Sequence, residues 1–289
     1  MKYRLLGWLL LLPLLLMAQE RPKVAVVLSG GGAKGTAHIG ALKVIEKAGI
    51  PIDYVVGTSM GAIVGGLYAI GYTPEQLDSM VNAQNWKFVL SDAPNPKDVL
   101  LDDRLRSERY VLSIPFTLKS ADISDAGIIK GKNIAQLFSV LTEGYQDSVN
   151  FSRLPIPFAC VSENLVDGSE VVFHRGVLVT AMRSSMSIPG VFAPVNLNGR
   201  VLVDGGMVNN YPVDVALQMG ADIIIGVDVQ SPLLDAGQLK SVKDIFGQII
   251  NLQGEKKYQE NLRKTDLHIK VDVSGYSAAS FTKEAIDTL

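Results

Sequence analysis

Lys23-Val24-Ala25-Val26-Val27-Leu28-Ser29 runs directly into Gly30-Gly31-Gly32-Ala33-Lys34-Gly35, and the helical period of Thr36–Ala48 follows at once. A run of Val and Leu without polar alternation reads as a strand buried on both faces of a parallel sheet. The same order recurs downstream. Ile52–Val56 reads as a second strand and Met60–Ile70 as a helix of small residues. Thr73-Pro74-Glu75-Gln76 then combines an N-cap, a first-turn proline and a capping glutamine. Ile156–Val161, Glu170–Phe173, Val201–Val203, Asp222–Val229 and Leu267–Val273 read as further strands. Asn133–Leu141, Pro212–Met219 and Val242–Lys264 read as helices. Asp167-Gly168 and Asn198-Gly199 supply hairpin turns. Trp86–Asp125 has no clear period and reads as loops and irregular strands, and the last ten residues start a helix. Strands alternating with helices predict an α/β sheet covered on both faces.

The composition narrows the function classes. With 47% hydrophobic residues in 289, the chain can bury a core and is not disordered. Lys and Arg number 27 against 29 Asp and Glu, so no overall positive field points to nucleic acid. A single cysteine, Cys160, excludes an internal disulfide framework and a Cys-rich zinc site, and reads as a small buried hydrophobe. His38, His174 and His268 lie far apart, without metal-ligand spacing. At the start, Lys2 and Arg4 precede the apolar run Leu5–Leu16, and Met17-Ala18-Gln19 offers a cleavage site. Residues 1–20 read as a secretory signal, with an uncleaved anchor as the rival. On this reading residues 21–289 are the exported domain, and 25 basic residues remain against 28 or 29 acidic ones.

Three stretches carry chemistry. Read as G-x-G-x-x-G, Gly30–Gly35 matches a dinucleotide fingerprint, and Asp53 stands near where a ribose-binding acid belongs. The same glycines also suit an anion cradle, with successive N–H groups turned toward one developing negative charge. Gly57-Thr58-Ser59-Met60-Gly61 separates these readings. It is G-x-S-x-G between a strand and a helix, the context of a nucleophile elbow, which a nucleotide-binding domain does not need. A serine hydroxyl needs a base. Asp204, in Val203-Asp204-Gly205-Gly206 at the end of a short strand, can supply one if burial raises its basicity. By itself such an aspartate is as well explained as a turn residue accepting backbone N–H bonds. In chain order Ser59, Asp204 and His268 could form a triad, but His268 alternates within a strand, which leaves a serine–aspartate dyad as the stronger reading.

Together these stretches resemble the patatin-like phospholipase family. Its glycine-rich block is matched by Gly30–Gly35, its elbow by Gly57–Gly61 and its dyad block by Asp204-Gly205-Gly206. Ser185–Pro194 and Asn209–Pro212 match further blocks. The likeness runs in order from about Lys23 to Val273. It implies a three-layer α/β/α sandwich with a mostly parallel central sheet, and hydrolysis of lipid acyl esters with no organic cofactor and no metal. It casts Ser59 as nucleophile, Asp204 as base, the amides of Gly30, Gly31 and Gly32 as oxyanion hole, and Lys34 as a basic substrate-binding position. Exported bacterial members that look similar continue into an outer-membrane β-barrel, and a longer form of this chain could do the same. The expected partner is a lipid or membrane surface. Trp86–Leu90 and Tyr110–Leu118 are apolar runs that either touch it, border an acyl pocket, or pack in the core. A catalytically silent lipid-binding domain would keep the same fold.

Overall fold

The computed structural model describes residues 21–95, 129–240 and 242–289. Residues 1–20 and the run Tyr110–Leu118 lie outside the described residues. In chain order the strands are β1 (Val24–Leu28), β2 (Tyr54–Thr58), β3 (Val149–Asn150), β4 (Phe158–Asn164), β5 (Ser169–Phe173), β6 (Arg175–Gly176), β7 (Val195–Leu197), β8 (Arg200–Asp204), β9 (Ile223–Asp228) and β10 (Leu267–Lys270). The main sheet has eight of them, in the order β10-β9-β1-β2-β4-β8-β7 with β5 also on β4; β3 and β6 pair separately. From β10 to β4 every pairing is parallel, and β5, β8 and β7 add antiparallel ones.

The helices are α1 (Ala37–Lys47), α2 (Met60–Ala69), α3 (Pro74–Ala83), α4 (Trp86–Val89), α5 (Lys132–Leu141), α6 (Leu178–Ser185), α7 (Gly206–Asn209), α8 (Val213–Gln218), α9 (Val242–Leu262) and α10 (Lys283–Thr288). All five residues of β1 are buried, as its unbroken apolar run requires. Its alternate side chains enter two separate cores. Val24, Val26 and Leu28 join Ile39, Leu42, Ile63, Leu67 and Met182 on one face, and Ala25 and Val27 join Tyr211, Val213 and Val215 on the other. A sheet with a helical layer on each face is the expected three-layer α/β/α sandwich.

Several local readings meet the structure closely. Thr73 caps α3 reciprocally, its hydroxyl accepting from Gln76 N–H while Gln76 Oε1 accepts from Thr73 N–H, and Pro74 opens the helix. Asn198 and Gly199 both take positive φ, 51° and 77°, between β7 and β8. Cys160 is fully buried in β4, which holds its thiol well above the usual range.

Other readings shift. The second strand runs two residues later than its β-branched residues suggest, because pairing with β1 and β4 carries it through Gly57 to Thr58. Trp86–Val89 is a short helix rather than a loop. Trp86 stacks on Phe281 at 4.8 Å and Val89 is buried, so this run packs against the body of the protein.

Candidate active site

The site is built on one edge of β4. Cys160 and Val161 of β4 pair with β2 and β5 together, whereas Ser162, Glu163 and Asn164 pair with β5 and β8 together. So β5 holds one edge, and β2 and β8 share the other end to end. The first is parallel to β4 and stops with Thr58 opposite Val161; the second is antiparallel and stops with Asp204 opposite Ser162. The two strands therefore run at each other along the same edge, and their C-terminal ends meet. Ser59, one residue past β2, and Asp204, the last of β8, are 145 positions apart in sequence. The serine Oγ–H donates to Asp204 Oδ2 at 2.6 Å.

Ser59 turns at φ 55°, ψ −121°, a left-handed conformation that a non-glycine residue adopts only when its surroundings impose it. The surroundings here are backbone. A Cβ on Gly57 would stand 2.3 Å from Gly61 O, and one on Gly61 would stand 2.2 Å from Leu28 O. Both glycines are thus required by close approach of main chain to main chain. Ser59 N–H donates to Ser185 Oγ at 2.9 Å, and that hydroxyl donates to Val161 O at 2.6 Å, which pins the elbow to β4. Thr58 Oγ1 donates to Asn209 O at 2.8 Å on the other flank.

Asp204 is 7% exposed. Burial pushes its carboxyl up to about 6, with the buried Glu163 adding to the rise, while the hydrogen bonds from Ser59 and Gly206 N–H pull it down. At neutral pH a carboxyl with that value is about nine-tenths ionised, and close enough to neutrality to take up a proton in a reaction. Asp204 N–H donates to Ser187 O and Oδ1 accepts from Gly206 N–H at 2.8 Å, so both ends of the carboxylate are oriented.

The glycine loop faces this pair. Gly30, Gly31, Gly32 and Lys34 line a cavity of about 250 Å³ together with Ser59 and Asp204, and α9 contributes Gly247 and Asn251. A Cβ on Gly30 would stand 3.1 Å from Ser59 Cβ and 2.2 Å from Asn210 Oδ1. Of the three loop amides, that of Gly30 donates to Asn210 O at 3.1 Å. Among the described residues the amides of Gly31 and Gly32 have no acceptor. Lys34 is buried, its ammonium donates to Ser231 Oγ at 2.8 Å, and burial with the nearby Lys270 brings it down to about 8.

The rival assignments lie elsewhere. Asp53 sits before β2, at the opposite end of the strands from the glycine loop. There it accepts from Val24 N–H and both terminal nitrogens of Arg21. It is unavailable to a ribose at Gly30–Gly35. His268 on β10 bonds Asp228, which also takes Lys270 and Tyr258, so it contacts neither Ser59 nor Asp204. His38 is fully buried against Ser29 O and held down at about 4 by desolvation. His174 is exposed between β5 and β6.

Ser185, Asn210 and Gln230 were not singled out from sequence as site residues. Asn210 Nδ2 donates to Gln230 Oε1 at 2.7 Å and reaches Gly30 O at 3.4 Å; Gln230 in turn donates twice to Asp228 Oδ1. The signal for two of them was present, since Ser185 and Asn210 open or sit inside blocks that resemble the family's.

Comparison with known proteins identifies the family. Residues 26–217 match the family model described as patatin-like phospholipase. An uncharacterized NTE family protein of Mycobacterium tuberculosis is 34% identical over 208 residues, covering 72% of this chain and 49% of that protein. Human patatin-like phospholipase domain-containing protein 6 is 31% identical over 210 residues, covering 72% of this chain and 13% of its own. The chain thus spans half or less of these relatives' lengths. Among solved structures, VipD from Legionella pneumophila aligns with a TM-score of 0.43 at 15% identity over 93% of this chain and 66% of that one. Human GIVD cytosolic phospholipase A2 aligns with a TM-score of 0.44 at 13% identity over 84% and 46%. With the family model spanning two thirds of the residues, including the glycine loop, the elbow and Asp204, the chain belongs to the patatin-like phospholipase family.

Proposed function

We propose that this chain is a serine hydrolase of lipid acyl esters working through a Ser59–Asp204 dyad. The observation that carries the reading is the 2.6 Å contact between Ser59 Oγ and a buried carboxylate held near 6, at the wall of a cavity. Asp204 takes the hydroxyl proton as Ser59 Oγ attacks the ester carbonyl, and the carbonyl oxygen becomes the tetrahedral oxyanion. Protonated Asp204 then returns the proton to the departing alcohol oxygen, leaving an acyl-serine. Water, deprotonated in turn by Asp204, hydrolyses it. The amides of Gly31 and Gly32 supply the oxyanion donors, and Gly30, tied to Asn210, fixes their direction. Lys34 adds a positive end to the cavity that suits a developing or resident anion.

Fluorophosphonate labelling tests the assignment. The wild type is labelled and hydrolyses p-nitrophenyl butyrate; Ser59→Ala takes no label and turns over at the blank rate. Full hydrolysis by Ser59→Ala ends the proposal. We read residues 1–20 as a secretory signal and the catalytic domain as exported, on the basic, apolar and small-residue order of that segment. Expression with amino-terminal sequencing of the secreted product checks it, a chain that stays cytoplasmic and uncut being the contrary result.

A further inference from the structure

The described side chains of helix α9 are arranged inside out for a helix in water. At 100° per residue, Gly247, Asn251, Gly254, Tyr258 and Asn261 fall on one face; Gly254 and Asn261 are buried, Gly247 and Tyr258 half-buried, and Asn251 is exposed at the cavity. Gly247 and Asn251 line the cavity, Tyr258 OH donates to Asp228, and Asn261 Nδ2 donates to Asn209, Tyr211 O and Asp214. The opposite face carries Ile245, Ile249 and Leu252, each about half exposed at 49, 51 and 53%. Among the described residues, Gly254 and Asn261 thus point inward and Ile245, Ile249 and Leu252 outward, the reverse of what water selects.

We propose that this outward face seats the chain on a lipid surface, with α9 as the element between that surface and the Ser59–Asp204 cavity. Charge on the same face selects this occupant. Exposed Lys256 and Arg263 continue the stripe toward the C-terminal end, with no ion pair to another described residue. Glu255 and Glu260 stand on its flanks and are half-buried. An apolar stripe that passes into basic residues is the pattern of a helix lying at a membrane interface, aliphatic groups in the acyl boundary and cations among anionic headgroups. Gln248 exchanges two hydrogen bonds with the backbone of Leu234, which holds the exposed Leu233 beside the helix. No helix among the described residues is long and apolar enough to cross a membrane, so α9 lies on the surface rather than through it. The inference deepens the proposed lipid hydrolase by naming where its substrate phase docks.

The test is sedimentation of the whole chain with vesicles of phosphatidylcholine, with and without phosphatidylglycerol, in a Ser59→Ala background so that no lipid is consumed. The background protein should sediment with vesicles. Ile245→Ser/Ile249→Ser/Leu252→Ser should weaken partitioning roughly tenfold or more. Lys256→Glu/Arg263→Glu should lose binding to the phosphatidylglycerol vesicles and change little on phosphatidylcholine alone. In the Ser59 background both variants should hydrolyse p-nitrophenyl butyrate like the wild type, and the single Ile249→Ser should shift partitioning the same way if the triple variant does not fold. Unchanged partitioning of Ile249→Ser or the folded triple variant overturns the proposal. So does a wild-type dimer that the triple variant converts to monomer, because the stripe would then belong to a second copy. Stripe-dependent vesicle binding with no ester turnover would leave the docking standing and remove the hydrolase; turnover without stripe-dependent binding would do the reverse.

Discussion

Replacing Asp204 by asparagine should make the protein more stable while stopping its chemistry, and the gain should depend on pH in a defined way. The carboxyl lies at about 6 in the folded chain against an ordinary 3.8, chiefly through burial. Below 3.8 it is protonated in folded and unfolded chains alike and costs nothing. Between 3.8 and 6 the unfolded chain releases its proton first, so stability falls as pH rises. Above 6 the folded carboxyl is ionised too, and the loss levels off at about 3 kcal/mol, from 1.36 kcal/mol per pKa unit. Asparagine carries no charge at any of these pH values. Its Oδ1 can accept from Gly206 N–H and its amide can face Ser59 Oγ, so the two hydrogen bonds to the wild-type carboxylate have counterparts.

Asp204→Asn and wild type should therefore unfold together below about pH 3 and diverge up to pH 6. Above that a constant gap should remain, about 3 kcal/mol or roughly 6–10 °C in Tm for a chain of this size. Thermal melts at half-unit pH intervals, paired with ester hydrolysis at each pH, measure both limbs. The variant should be inactive throughout, since an amide cannot accept the serine proton. A gap that does not change with pH, or an asparagine variant less stable than wild type at pH 8, would refute the claim that a desolvated charge resides at this position.

Three further outcomes follow from the same geometry. The acid limb of kcat/KM should fall near pH 6, and Glu163→Gln should move it lower, because the Glu163 charge helps to raise Asp204. Asn210→Ala should lower kcat about tenfold or more with KM little changed, by releasing the side chain that ties Gly30 to Gln230; unaltered kcat on a soluble ester would show that the loop needs no such tie. Gly61→Ala would place a methyl 2.2 Å from Leu28 O, a backbone atom with little room to yield, and should cost about 3 kcal/mol, the upper end of the overpacking range, visible as a fall in Tm or in soluble yield.

The local features of this site were legible in the sequence because each is a property of a few adjacent residues. The buried strand before Gly30, the glycines that an elbow at Ser59 demands and the capping box at Thr73 depend only on near neighbours. Features set by burial of polar groups were not legible. Helix α6 contains Arg183, Ser184 and Ser185, all buried, and a hydropathy pattern reads such residues as surface. The hydroxyl of Ser185 is nonetheless what holds Ser59 N–H. The end of β2 was misplaced for a related reason: Gly57 and Thr58 look like turn residues until pairing with β4 draws them into the strand.

What lay furthest from the sequence was the meeting of Ser59 with Asp204, and the sheet explains why. Their contact depends on two registers against a third strand. A slip of β8 by one residue along β4 would move Asp204 by about 3.4 Å and turn its side chain to the other face. Leu165 N–H on Val201 O and Val201 N–H on Asn164 Oδ1 set that register away from the dyad, and Asp204 N–H on Ser187 O fixes it at the dyad itself. The first two bonds touch neither dyad side chain and belong to no motif that names a catalytic residue; the third joins the main chain of the dyad block to Ser187. The precision of a 2.6 Å contact is therefore stored in hydrogen bonds to the end of β4 and the segment after α6, so the site should tolerate changes in the surface turns more readily than changes at Asn164.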